Sequence, residues 1–301
     1  TQSNVDPAGN PELIVLSVNG QTQTTQYQYD SSGSLLKVID AVGSETLLEY
    51  DGLARKTKLV DPNTGTHQYG YDAEGRLTSE TAPDGKTTLM VYSSSGQLTE
   101  KQFADGTSQQ FIYGTGGTPN SLGQLVKVID ESGTMELFYD TRGRVIERRR
   151  TVDNQTYVTG MVYDSMNRIR QIIYPDGFVA HYRYDAGNNL AEITDDDNQP
   201  IAVGFKYNAS QRITEFDFGN GVNTNYHYDV MARMLASQTQ TQTGITLQEL
   251  TYQYDAANNV LSMKDLASGN NQSFEYDEAN RLIKANGNYG EETYTYDAVG
   301  N

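Results

Sequence analysis

The sequence predicts an all-β protein, a long antiparallel meander of about thirteen hairpin repeats of ~21 residues each. Three observations predict it. A tyrosine recurs at nearly constant spacing along the whole chain, apolar residues alternate on either side of it with a period of two, and turn-forming residues follow it at a fixed offset. No stretch shows convincing helical periodicity, so we expect no helical domain.

The repeat tyrosine, together with the residue two positions before it, defines one strand of each repeat. That earlier residue is apolar or aromatic in all thirteen copies, and two residues so spaced share one face of a strand. Tyrosine suits a half-buried strand because its ring packs while its hydroxyl reaches water. We therefore predict a structural role for Tyr29, Tyr50, Tyr71, Tyr92, Tyr113, Tyr139, Tyr163, Tyr184, Tyr207, Tyr228, Tyr254, Tyr276 and Tyr296.

A tight turn is predicted after each tyrosine, because aspartate usually comes next and glycine or asparagine stands three residues after the aspartate. The aspartate side chain can initiate the turn, and glycine or asparagine tolerates the left-handed backbone. The predicted turn residues are Asp30, Gly33, Asp72, Gly75, Gly96, Asp140, Gly143, Asn167, Asn188, Asn258 and Asn280. Ala54, Gln211 and Ala232 break the preference, so we expect their turns to differ or to be strained.

Variations on this pattern are few. After Tyr113 the glycine arrives late, at Gly123, which predicts a longer loop. Arginine commonly follows the left-handed position, at 55, 76, 144, 168, 212, 233 and 281.

A second turn closes each repeat, as in Pro83-Asp84-Gly85 and Pro175-Asp176-Gly177. Each repeat therefore holds two strands of six or seven residues, and residues 1–301 form a single array of about 26 strands. An open sheet of that width must coil, either as a spiral β-strip or as a propeller with two repeats per blade. The longer spacings do not alternate between copies, which favours the strip.

Composition excludes several classes of function. The formal net charge of −17 opposes binding to nucleic acid phosphates. Cysteine is absent, so no disulfide framework exists. No apolar run is long enough for a membrane span, and the first ten residues do not resemble a signal peptide, so we expect any targeting signal to lie outside this segment.

No constellation of catalytic, cofactor-binding or metal-ligating residues stands out, and we predict that the protein is not an enzyme. His67, His181 and His227 lie in three different repeats and are expected to be structural. The acidic run Asp195-Asp196-Asp197 occupies a second-turn position without the spacing of a calcium loop. The basic cluster at 148–150 is expected to be a solvated strand.

The repeat Y-x-Y-D-x-x-G-R-L, clearest at Tyr69–Leu77 and Phe274–Leu282, resembles the YD-repeat or RHS-repeat family over nearly the whole chain. That family includes bacterial Rhs polymorphic toxins, the B and C components of Tc toxins, and the YD shells of teneurins. The resemblance implies a β-strip wound into a hollow shell. Because the sequence stops in mid-turn, we expect it to be a piece of a longer shell.

The resemblance leaves two functional hypotheses. The favoured one is a structural scaffold that encapsulates a C-terminal toxin domain, in a secreted or cell-surface bacterial protein whose partners are the rest of its own shell and the toxin cargo. The alternative is a cell-surface adhesion or carbohydrate-binding scaffold, whose partner would be a carbohydrate or a surface receptor. An enzyme concealed in the lattice would need a constellation of reactive side chains that the sequence does not offer.

Overall fold

The computed structural model describes residues 2–18 and 21–297, and these residues form 27 strands joined by turns, with no helix among them. The all-β prediction is therefore confirmed. The chain divides into two compact units, the first comprising Thr1–Arg144, Arg149–Thr156 and Tyr296–Asn301 and the second comprising Val145–Arg148 and Tyr157–Thr295.

The first unit contains thirteen complete strands. They are β1 (Gln2–Val5), β2 (Pro11–Val18), β3 (Gln21–Tyr29), β4 (Leu35–Ile39), β5 (Glu45–Tyr50), β6 (Lys56–Asp61), β7 (Gly65–Tyr71), β8 (Leu77–Thr81), β9 (Thr87–Tyr92), β10 (Leu98–Gln102), β11 (Ser108–Tyr113), β12 (Leu125–Asp130) and β13 (Gly133–Tyr139). Strands β14 (Val145–Val152) and β15 (Gln155–Tyr163) each contribute residues to both units.

The second unit continues the same pattern. Its strands are β16 (Ile169–Ile173), β17 (Val179–Tyr184), β18 (Leu190–Thr194), β19 (Pro200–Tyr207), β20 (Ile213–Phe218), β21 (Asn223–Tyr228), β22 (Met234–Gln240), β23 (Thr246–Tyr254), β24 (Val260–Asp265), β25 (Asn271–Tyr276), β26 (Leu282–Gly287) and β27 (Gly290–Thr293). Their lengths match the two short strands per repeat that the sequence predicts.

Pairing within each unit is antiparallel and strictly sequential. In the first unit every strand from β1 to β13 pairs with the next one. In the second unit the same holds from β15 to β27. A propeller would interrupt the ladder after every fourth strand. The uninterrupted ladders therefore exclude the propeller alternative.

A β-bulge follows the turn after most of the repeat tyrosines. In β7 and β8, Tyr71 pairs with Leu77 while the preceding Gly70 pairs with Ser79, so the second strand carries one extra residue. The same register shift occurs at Tyr29, Tyr50, Tyr163, Tyr184, Tyr228, Tyr254 and Tyr276. Bulges increase the local right-handed twist of a strand pair, so a regular series of them gives each repeat the same local twist.

The two faces of each unit differ in chemistry. The tyrosine face carries the repeat tyrosines and the apolar residues two positions before them. The opposite, polar face carries cross-strand ion pairs, such as Lys58–Glu49 at 2.9 Å between Nζ and Oε1 in the first unit and Lys206–Glu215 at 2.7 Å in the second. Among the described residues the buried apolar residues are few, namely Val128, Tyr139, Ala180, Ala202 and Ala285. Stability must therefore come largely from links between repeats.

Candidate functional site: a tyrosine–aspartate–arginine lattice

The repeat tyrosines link each repeat to the one before it through their hydroxyl groups. The Tyr71 hydroxyl donates to the Lys56 carbonyl at 2.8 Å, and the Tyr184 hydroxyl donates to the Ile169 carbonyl at 2.9 Å. In each case the acceptor is the first residue of the strand that follows the preceding turn. The same bond is made by Tyr29, Tyr92, Tyr139, Tyr163, Tyr207, Tyr228, Tyr254 and Tyr276.

These bonds correct the expectation that the hydroxyls reach water. Burial of the phenol raises the pKa of Tyr139 and Tyr276, so these hydroxyls stay protonated as donors over a wider range of pH. Tyr50 and Tyr113 end β5 and β11 in the same way as their counterparts, and Tyr296 follows β27. Phenylalanine has no hydroxyl and could not donate this hydrogen bond to the preceding repeat.

The turn aspartates close their turns through both the backbone and the side chain. At Asp72 the backbone N–H donates to the Arg76 carbonyl at 3.0 Å, and the aspartate carbonyl accepts from the Gly75 N–H at 3.1 Å. The Asp72 carboxylate also accepts the Arg76 backbone N–H at 2.8 Å. Asp30 and Asp140 occupy the same position with the same bonds. Each of these turns is therefore closed by a carboxylate as well as by the backbone.

The third residue after the one that starts the turn, an aspartate or in one case Ser93, is left-handed at each of the eight predicted glycine and asparagine positions. Positive φ angles of 86°, 84°, 83° and 74° occur at Gly33, Gly75, Gly96 and Gly143, and angles of 65°, 67°, 74° and 60° occur at Asn167, Asn188, Asn258 and Asn280.

The three turns that break the glycine or asparagine preference have this geometry too. Ala54, Gln211 and Ala232 have φ of 59°, 60° and 61° and make the same backbone bonds. The expectation that these turns differ is wrong, because the flanking ladder fixes the backbone whatever the side chain. Each instead holds a left-handed residue, at a cost of roughly 1–2 kcal/mol.

The longer loop after Tyr113 preserves the turn across an insertion. The Gly114 N–H donates to the Gln124 carbonyl at 2.8 Å, and the Gly123 N–H donates to the Gly114 carbonyl at 2.9 Å. Gly114 and Gly123 thus take the places of aspartate and glycine. The inserted residues form a compact loop in which Ser121 is fully buried and its hydroxyl donates to the Thr118 carbonyl at 2.8 Å.

Arginine completes the lattice by joining the aspartate of its own turn to the tyrosine of the next repeat. The Arg76 Nε donates to Asp72 Oδ2 at 2.6 Å, and its guanidinium carbon lies 4.9 Å from the centre of the Tyr92 ring. Its Nη1 also donates to the Ser93 carbonyl in the following turn at 3.2 Å. Such an ion stacked on a ring contributes ~0.5–2 kcal/mol, depending on how far it is desolvated.

The same three-way contact recurs in both units, for example at Arg55, Arg168 and Arg233. Hydrogen bonds from the Arg55 side chain and backbone N–H hold the pKa of Asp51 below its usual value. Sequence reasoning located these arginines but assigned them no role. Their constant offset of four residues from the aspartate was the signal that could have revealed it.

Comparison with known families agrees with the repeat and its lattice. The family model described as RHS Repeat matches residues 57–88 and 163–200, and the one described as Teneurin YD-shell matches residues 191–301. This chain belongs to the YD/RHS repeat family. No curated protein matches the YD/RHS array.

Solved structures place the fold of the YD/RHS array among Tc toxin proteins. The crystal structure of TcdB2-TccC3-TEV superposes with a TM-score of 0.84 and 22% identity over 99% of this chain. The Photorhabdus luminescens Tc holotoxin pore carrying the mutation TccC3-D651A gives a TM-score of 0.85, also at 22% identity over 99% of this chain. The array spans only 18% of the length of either of those chains. At 22% identity, these superpositions show a likeness of fold alone.

The three histidines of the YD/RHS array lie on three different strands. On the polar face, the His181 Nε2 lies 2.7 Å from Asp196 Oδ1, which accepts its hydrogen bond, and the His181 Nδ1 lies 3.1 Å from Gln171 Nε2. His67 and His227 lie in β7 and β21. In residues 2–18 and 21–297, no group of three or more histidine, aspartate or glutamate side chains could hold a metal ion.

No helix of membrane-crossing length and hydropathy occurs in the described part of the YD/RHS array.

Proposed function

We propose that this array is a non-catalytic structural scaffold, part of the wall of a β-shell that encapsulates a C-terminal toxin or effector domain of a bacterial Rhs/Tc-type polymorphic toxin. The observation that carries the proposal is the superposition of 99% of the chain on Tc toxin chains with TM-scores of 0.84 and 0.85. In this proposal the whole of residues 1–301 serves one purpose, as a single segment of that wall.

The lattice supports a wall because it supplies stability without a thick core. Strand ladders join successive repeats within each unit, most repeat tyrosines add a hydroxyl bond, and in several repeats an arginine joins two turns. Interactions of this nearest-neighbour kind allow an array to extend to any length while each repeat adds the same stability. A wall one strand thick can enclose a volume with little protein.

The partners and location follow from the same proposal. The array would contact the rest of its own shell and the cargo, without nucleic acid, and the full-length protein would be secreted or displayed on the bacterial surface. Its formal net charge of −17 keeps such a wall soluble and repels phosphate backbones.

Cryo-electron microscopy of the full-length protein that contains this array tests the proposal. The expected result is a closed shell with additional, poorly ordered density inside, together with protection of the C-terminal domain from added protease. A closed but empty shell, or an open strip with a ligand on its outer face, would overturn it.

The second candidate is a cell-surface adhesion or carbohydrate-binding scaffold. It is favoured by the match of the Teneurin YD-shell model to residues 191–301. Binding of cells or immobilised glycans to the purified full-length protein, lost when this array is deleted, would support adhesion over encapsulation.

A further inference from the structure

The second unit contains a cavity of about 470 Å³ on its tyrosine face. Aliphatic side chains form its floor and aromatic rings its walls, with a single carboxylate at the rim. The lining residues are Tyr174, Pro175, Asp176, Phe178, Ala180, Tyr182, Ile193 and Ile201.

The turn between β16 and β17 creates this cavity. The Tyr174 N–H donates to the Phe178 carbonyl at 2.8 Å, and this closure holds their two rings 5.9 Å apart between centroids. Ala180, only 3% exposed, lines the same cavity, and its methyl group is too small to fill it. The rings themselves stay accessible, with Tyr174 40% and Phe178 45% exposed.

The pair of aromatic residues at this turn is particular to this repeat. The turn between β8 and β9 has the same backbone bonds but places Ala82 and Lys86 where Tyr174 and Phe178 stand. The repeat lattice therefore does not require two aromatic residues at this turn. Their presence over a small residue indicates a site for a ligand.

The cavity and its surroundings favour a cationic and apolar ligand. Asp176 is exposed at the rim, and the next turn along the same edge brings the exposed Asp197. Aromatic faces beside a carboxylate attract ammonium and guanidinium groups. The floor of Ala180, Ile193 and Ile201 offers apolar surface only, which suits a bulky hydrocarbon side chain.

A sugar fits the cavity less well. Each hydroxyl of a bound saccharide needs a polar partner, and an unpaired one is costly when desolvated. The polar groups in the cavity lining are the Asp176 carboxylate and two tyrosine hydroxyls, and the Tyr174 and Tyr182 hydroxyls already interact with each other.

We propose that this cavity binds a segment of a partner polypeptide that presents a bulky apolar side chain next to an arginine or lysine. The apolar side chain occupies the floor, and the cation lies between the aromatic rings and the Asp176 carboxylate. This interaction goes beyond the proposed wall function and does not depend on what the shell contains.

Isothermal titration of the array with three probes tests the proposal. The probes are a blocked hexapeptide of alternating leucine and arginine, the same peptide with glutamate in place of arginine, and maltohexaose. We expect only the basic peptide to bind, with an affinity that falls as salt increases. Tyr174→Ala combined with Phe178→Ala should weaken it about tenfold, and Asp176→Asn about threefold.

Phe103→Ala is the matched control. Phe103 occupies the corresponding position of another second turn, closes it with the same bond to Thr107 at 2.9 Å, and is also 40% exposed, but lies in the first unit. It should leave binding unchanged. Tyr174→Phe is a second variant for the case in which the double variant misfolds. It keeps the ring and the turn, and it should therefore still bind the basic peptide.

Four outcomes would overturn the proposal. They are equal binding of the acidic peptide, binding of maltohexaose alone, unaltered affinity in a folded Tyr174/Phe178 double variant, and concentration-dependent self-association of the array that the same double variant abolishes. The last would assign the cavity to a second copy of the chain.

Discussion

Removal of one lattice hydroxyl, by Tyr184→Phe, isolates the link between neighbouring repeats. The hydroxyl donates to the Ile169 carbonyl at 2.9 Å, while the ring lies 4.3 Å beneath the Arg168 guanidinium carbon. Phenylalanine keeps the ring and its stacking, so the loss is that of one hydrogen bond, about 1 kcal/mol. Tyr184→Leu removes the ring contact too, and should cost ~0.5–1 kcal/mol more.

Hydrogen exchange is the suitable assay, because a repeat array opens locally and its unfolding need not be two-state. Loss of about 1 kcal/mol corresponds to a roughly fivefold faster exchange of the protected amides in β16 and β17. Tyr157→Phe in β15, at a ring that is 49% exposed, is the control and should leave exchange unaltered.

The result that would refute this reasoning is equal protection in Tyr184→Phe and the unmodified array. It would mean that the ladder alone holds neighbouring repeats together. Acceleration spread evenly over all strands would contradict the nearest-neighbour character of the lattice.

Three further predictions concern the turns. In the exchange assay, Ala54→Gly should stabilise its repeat by about 1 kcal/mol, because it relieves a left-handed alanine, whereas Gly75→Ala should destabilise its repeat by about 1–2 kcal/mol; faster exchange in Ala54→Gly would disprove the strain at Ala54. The hydrogen bond from the Arg144 side chain lowers the pKa of Asp140 in the folded array. The stability that this ion pair contributes is therefore complete above the pKa of an unfolded aspartate, near 4, and is lost as the pH falls through the pKa of Asp140 in the folded state. The urea midpoint should therefore drop on acidification, less steeply in Asp140→Asn, and an identical pH profile would count against the pair. Arg168→Lys keeps the charge but loses the planar stack, and should cost ~0.5–1 kcal/mol by the exchange assay, with no change if stacking is unimportant.

Local sequence patterns predicted most of the fold. Alternation around Tyr69 and Tyr71 predicted a strand, and the offset from Asp72 to Gly75 predicted a turn, because both depend on residues within a few positions of each other. The turns at Ala54, Gln211 and Ala232 were expected to differ or to be strained. They keep the common geometry and hold a left-handed residue, because the ladder on either side outweighs the local preference.

The sequence by itself determined the all-β class, the two strands per repeat and the family, since each rests on short-range periodicity repeated thirteen times. The tertiary structure decided which atoms join one repeat to the next. The Tyr71 hydroxyl meets a carbonyl 15 residues earlier, and Arg55 meets a carbonyl 17 residues later. It also decided that Ala180 lines one cavity together with the rings of Tyr174 and Phe178. Such contacts depend on strand register and bulges, which set distances in space that spacing along the chain does not contain.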